Sequence, residues 1–129
     1  MKPRHLPLRL FDRHAVWLEA ATNEERTLAN EYRCALYRFF DFEGELLYAG
    51  ISKDLPTRWD WHRCRTAWYS QAHYLAVSFY PERAEAERAE AACIRREQPQ
   101  FNKSRPKSRP GWRAEDDVLF APPPAQFAD

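Results

Sequence analysis

The stretch ALYRFFDFEGELLYAGIS, residues 35–52, decides the fold. Two short apolar, aromatic runs flank Asp41-Phe42-Glu43-Gly44, a combination that reads as a β-hairpin. Strict alternation puts Leu36, Phe40, Leu47 and Ile51 on one face and Tyr37, Phe39 and Leu46 on the other. Both faces are apolar, so the hairpin needs cover on both sides. Each run carries one tyrosine, Tyr37 and Tyr48, near its middle. A four-residue loop closed by Phe40 and Glu45 sets the two phenols directly opposite, and a two-residue loop makes them diagonal neighbours. Buried phenols want hydrogen-bond partners. β-propensity alone also favours tyrosine at both places.

Working outward, KDLPTRWDWHRCRTAW (residues 53–68) predicts a helix, with Asp54 as N-cap and Pro56 in the first turn, where its missing N–H does no harm. Residues 72–81, AHYLAVSFYP, predict a third strand. Residues 82–98 predict the longest helix, stopped by Pro99. Upstream, residues 15–30 are rich in helix formers and predict one or two short helices. Residues 1–14, with two prolines, read as an irregular basic arm. The fold class that follows is α/β (α+β): a small three-stranded, mainly antiparallel sheet flanked by helices. Three parts are expected: an N-terminal arm and helical extension over 1–32, a core over 33–104, and a basic then acidic Pro-rich tail over 105–129.

The length of 129 residues fits one domain with a real core, and 44% hydrophobic with 30% charged residues is the balance of a globular protein. No apolar run approaches the roughly 18 residues of a membrane span. The opening residues lack the apolar segment of a secretory signal, and the expectation is a cytoplasmic protein without a membrane partner. Cys34, Cys64 and Cys93 are odd in number and show no C-x-x-C spacing, which argues against a disulfide framework or zinc knuckle. The net charge of +1 gives no global basic field. Residues 102–113, however, carry Lys103, Arg105, Lys107, Arg109 and Arg113 without an acid. Arginine outnumbers lysine sixteen to four, which suits phosphate binding because guanidinium is a bidentate fork.

Three groups could carry chemistry. On a helical wheel Glu90 falls within the apolar stripe of its helix, between Ala86 and Ile94. An inward carboxylate needs a cation, a metal or a donor, and a rim glutamate paired with an arginine would read the same way. Arg58 and His62 are four apart and share one helix face. They could hold a phosphate, or form a solvated face with Arg58 paired to Asp54. Trp59, Trp61, Trp68 and Tyr69 could stack on bases or fill the core.

Taken in order, these elements resemble the GIY-YIG nuclease superfamily. Ala35-Leu36-Tyr37 matches its first tripeptide, with Ala35 where glycine is usual, and Tyr48-Ala49-Gly50 matches its second. Asp54-Leu55-x-x-Arg58 is similar to its arginine segment, with His62 where many members place His or Tyr. EAERAEAACIRREQPQFN, residues 85–102, is similar to its signature around a metal-binding glutamate, which falls on Glu90 and ends at Asn102. The resemblance covers about residues 33–104. It implies an endonuclease hydrolysing DNA phosphodiester bonds with one divalent ion, most readily Mg²⁺ or else Mn²⁺, held by Glu90. It also implies Arg58 on the phosphate, Tyr37, Tyr48 and His62 handling the attacking water, and Gly50 and Asn102 in structural roles. Lys53, Arg58, Lys103, Arg105, Lys107 and Arg109 are the implied DNA-contacting cations. Gly50 is expected to let the backbone turn tightly into the arginine helix. Cutting both strands with one site per chain would call for a homodimer, with Trp17 and Leu18 as interface candidates. The alternatives are an inactive nucleic-acid-binding module on the same fold, or a small regulatory or interaction protein.

Overall fold

The computed structural model describes residues 1–102. Its elements are β1 (Arg4–His5), β2 (Arg9–Leu10), α1 (Trp17–Ala20), α2 (Asn23–Glu31), β3 (Cys34–Phe40), β4 (Leu46–Ser52), α3 (Leu55–Arg65), a 3₁₀ turn (Ala67–Gln71), β5 (Tyr74–Tyr80) and α4 (Arg83–Glu97). They form an antiparallel sheet of order β1-β5-β3-β4, with β2 also pairing β5.

The three expected strands are present, and the basic arm adds two more. β3 covers one edge of β5, and the other edge needs a partner of its own. Pro3 and Pro7 lack the N–H that a continuous ladder requires, so the arm meets β5 in two-residue pieces. Leu6 N–H donates to Val77 O (2.9 Å) and Phe11 N–H to His73 O (2.9 Å).

The hairpin is less regular than alternation implies. Phe39 pairs with Tyr48, but Phe40 pairs with Leu46, so the register shifts at a bulge. Asp41 closes the loop: its N–H donates to Glu45 O, and its carboxylate accepts the N–H groups of Glu43 and Glu45. Gly44 sits at φ 88°, a conformation that favours glycine. The bulge moves Leu47 into the core beside Tyr37 and Phe39, and sends Leu46 to the other face with Phe40 and Ala49. The alternation reading had these two leucines exchanged. Tyr37 pairs with Gly50, which leaves Tyr37 and Tyr48 as diagonal neighbours on one face.

Helices cover both faces. On one side α3 and the N-terminal helices enclose an aromatic core around Phe11, Phe39 and Trp59. Trp17 belongs to this core at 4% exposure, so it is no interface residue, whereas Leu18 is exposed. On the other side α4 lays Ala86, Ala89, Ala92 and Cys93, all fully buried, against the sheet. That face also holds a shielded ion pair, Arg38 with Glu97 at 3.1 Å, to which the Cys93 thiol adds a hydrogen bond at 3.2 Å. The three cysteines are free. No helix among the described residues is long and apolar enough to cross a membrane.

Asp54 caps α3 by accepting from Thr57 N–H and the Thr57 hydroxyl. The helix is shorter than expected: it ends where Thr66 turns its hydroxyl back onto His62 O, and a 3₁₀ turn follows. α4 ends at Gln98, left-handed at φ 49°, just before Pro99.

Candidate active site

The hairpin sets Tyr37 and Tyr48 side by side, ring centroids 6.2 Å apart and planes 27° from parallel. Tyr48 stacks in turn on Trp68 (4.9 Å, 11°). Gly50 makes this pair possible for a reason other than the expected turn. It lies inside β4, and a Cβ there would stand 2.7 Å from the Tyr37 hydroxyl and 2.9 Å from Tyr48 Cε2. Glycine is required because the phenols occupy the space of its missing side chain. Gly50→Ala should therefore push the Tyr37 ring off its seat. Overpacking of this kind costs about 1–3 kcal/mol, and urea unfolding should show a loss in that range, with any activity falling further than stability.

α3 faces the phenols. His62 is buried, and its Nε2 lies 2.9 Å from the Tyr37 hydroxyl, while its Nδ1 has no partner among the described residues. Burial, helped by the nearby Arg58 charge, lowers the His62 pKa to about 4. The imidazole is neutral at pH 7. An unfolded chain takes up that proton near pH 6.5, so folding stability is lost as pH falls from there towards 4. The NMR signals of the His62 ring should stay in their neutral positions down to about pH 5. A midpoint at the ordinary histidine value would contradict this environment.

Burial also pushes both phenols up, Tyr37 strongly. Tyr48 is raised too, and hydrogen bonding and attraction from Arg58 offset part of each shift. For Arg58 burial opposes the charge, but its hydrogen bonds and attraction to the two phenols outweigh it and raise its pKa. Its Cζ also lies 4.5 Å from the Trp61 ring centroid, a cation–π contact that fixes the guanidinium plane. Asp54 is engaged with Thr57 as the cap.

α4 supplies Glu90, half-buried at the edge of the face that Ala86, Ala89 and Cys93 lead into the core. The expected mid-stripe position is thus displaced towards the rim. Glu90 lines one cleft of about 500 Å³ with Tyr48, Arg58, Trp61, His62 and Asn102. Its charge contributes to the upward shifts of both phenols, so it lies within electrostatic reach of them. Tyr37, 2% exposed, stands behind this wall.

A model of the GIY-YIG catalytic domain matches residues 33–105, more than half of the chain. The chain belongs to the GIY-YIG family. Searches of curated proteins and of solved structures returned no significant match. Membership makes this a nuclease-type catalytic domain and DNA the implied substrate.

Within the GIY-YIG frame, Ala35 pairs with Ser52 and Phe79 in mid-sheet at 3% exposure, a place for a small side chain. Asn102 clamps the second tripeptide: its Oδ1 accepts Ala49 N–H (3.0 Å) and its Nδ2 donates to Ala49 O (2.8 Å). GIY-YIG nucleases use divalent ions. No group of three or more His, Cys, Asp or Glu that could hold a metal occurs among the described residues. One half-buried carboxylate facing an open cleft does not suit zinc or calcium, which take several protein ligands. It does suit Mg²⁺, which keeps most of its water.

Lys53 lies outside the cleft, exposed beside Ala29 and Tyr32. Lys103, Arg105, Lys107 and Arg109 lie outside the described residues. Of the aromatic run, Trp59, Trp68 and Tyr69 are buried, and Trp61 is the partly exposed member. Arg65, also on the cleft, had not been singled out. It continues the helical spacing of Arg58 and His62, and that periodicity was its available signal.

Proposed function

We propose that the protein is a metal-dependent endonuclease that hydrolyses DNA phosphodiester bonds in this cleft. The reading is carried by the convergence of Tyr48, Arg58, His62 and Glu90 on one open cleft, with Tyr37 bonded to His62 from behind. Glu90 would hold a hydrated Mg²⁺ or Mn²⁺. When bound, that ion supplies Lewis-acid polarisation of the phosphate and stabilises the leaving 3′ oxygen.

Arg58 neutralises the non-bridging oxygens, already oriented by two phenols and an indole. A free Tyr37 phenolate is costly in so buried a place. Proton transfer through the phenols avoids it: Tyr48 accepts a proton from the attacking water as its own passes to Tyr37, whose proton passes in turn to His62 Nε2. Tyr48, open to the cleft, orients the water. The water oxygen bonds to phosphorus, the bond to the 3′ oxygen breaks, and solvent protonates the leaving group. His62 resists protonation in the empty site partly because of Arg58. A phosphate seated on Arg58 cancels that charge and makes the imidazole a better acceptor.

The test is nicking of supercoiled plasmid by the full chain with Mg²⁺ or Mn²⁺, against the same reaction in EDTA. Cutting that EDTA stops supports the reading. DNA binding without cutting under every ion would replace it with a binding module.

The basic segment after Asn102, a residue of the cleft wall, would track backbone phosphates. Changing Arg105, Lys107 and Arg109 to alanine removes three counterion-releasing contacts. The slope of log K against log salt should flatten by roughly 2–3, and an unchanged slope would reject this role.

A further inference from the structure

The cleft is larger than a phosphate and one hydrated cation require. Its volume of about 500 Å³ is that of a small-molecule site. Tyr48, Arg58, His62 and Glu90 account for part of the lining, and the rest includes Trp61, Trp68, Ile94 and Phe101, with Arg65 beside them. Trp61 is 37% exposed and Phe101 38%. Most large side chains of this core are sealed from water, so two half-open aromatic rings on one cavity are a surface awaiting a partner. Other exposed large hydrophobics, Leu18 and Phe42, do not line the cleft.

Charge identifies the kind of partner. The Arg58 and Arg65 guanidiniums lie 4.5 Å and 5.7 Å from the Trp61 ring centroid. Aromatic faces interleaved with arginines are the means by which proteins hold single-stranded nucleic acid: rings stack on bases and cations take the adjoining phosphates. A fully paired duplex offers only base edges in its grooves, so it leaves such a wall unused unless a nucleotide leaves the stack.

Resting on the nuclease reading, we propose that this wall is a subsite for one unstacked DNA base next to the scissile phosphate. The base lies against Trp61 and Phe101, and Arg65 swings from the indole to the neighbouring phosphate. The substrate class is then DNA with an unpaired or easily extruded nucleotide at the cut, in preference to continuous duplex.

The experiment is fluorescence anisotropy of the full chain with end-labelled short duplexes in EDTA, where binding is read without cutting. Three DNAs are compared: fully matched, carrying a single-nucleotide bulge, and carrying the same bulge without its base. The bulged duplex should bind about tenfold or more tightly than the matched one, the range of one base stacked on an aromatic ring. The abasic bulge should lose most of that gain. Phe101→Ala should bring the bulged-to-matched ratio towards one. Trp61→Ala should do the same, and because it also loosens Arg58 the ratio, not the absolute affinity, is the readout. Equal binding of matched and bulged DNA would overturn the subsite. So would an abasic bulge that binds as well as the intact one, since the wall would then be holding the sugar. Plasmid cutting with Mg²⁺ is scored separately: a preserved bulge preference without cutting would sink the nuclease reading alone, and cutting without preference would sink the subsite alone.

Discussion

Glu90→Ala will lower DNA cutting by about 10³-fold or more while leaving fold and DNA binding in place. Glu90 is the one carboxylate among the described residues lining the cleft, so on the proposed reading its removal takes away the carboxylate that would hold the hydrated cation. The several kcal/mol of transition-state stabilisation that a bound ion supplies would be lost together. The helix should tolerate the change, because Glu90 sits at the edge of its buried face and alanine is the better helix former. Binding measured in EDTA should hold or tighten, since a negative charge leaves the neighbourhood of the phosphate. Glu90→Gln, nearly the same shape without charge, should fail as alanine does. Full cutting by either variant would place the metal ligand elsewhere.

Glu25→Ala will cost about 3–5 kcal/mol of stability, the usual cost of stripping one partner from a buried ion pair. Glu25 is 2% exposed and takes both arms of Arg9, at 2.7 and 2.8 Å. Its Oε1 also accepts the Thr22 N–H, while Thr22 caps the Glu25 N–H in return. One side chain thus caps α2 and fastens β2. The chain of contacts reaches the site, because the Arg9 guanidinium also lies over the Trp59 ring (5.8 Å), next in sequence to Arg58. Urea unfolding separates the contributions. Thr22→Ala loses only a cap, about 1 kcal/mol, and Glu25→Gln should fall between. A Glu25→Ala variant no less stable than Thr22→Ala would show that the ion pair adds nothing.

The residues that announce the fold do so through local chemistry. The aromatic strand runs, the Asp54 cap with Pro56 behind it, and the alanine-rich stripe of α4 each need only neighbours in sequence. What stayed illegible depends on distant partners. β1 and β2 are too short, and too broken by proline, to show a period; they exist because β5 has an edge to fill. The bulge at Phe39 is set by how Asp41 closes the loop, and it exchanged the faces of Leu46 and Leu47. Gly50 looks like a turn residue in the sequence, and only the position of the Tyr37 ring shows that it is there for space. Arg58 and His62 were legible as one helix face. Their meeting with Phe101, from beyond α4, was not.

The short run after Pro99 has a further consequence. β4 is the outermost strand, and an uncovered outer strand is a template for other chains. Gln100 and Phe101 donate to Leu46 O and Leu47 O, and the Asn102 amide takes both backbone groups of Ala49. Three residues with no regular structure of their own thereby act as a selvedge on the sheet. A fragment ending before Gln100 would bare that border, and it should associate edge to edge more readily than one that extends through Asn102.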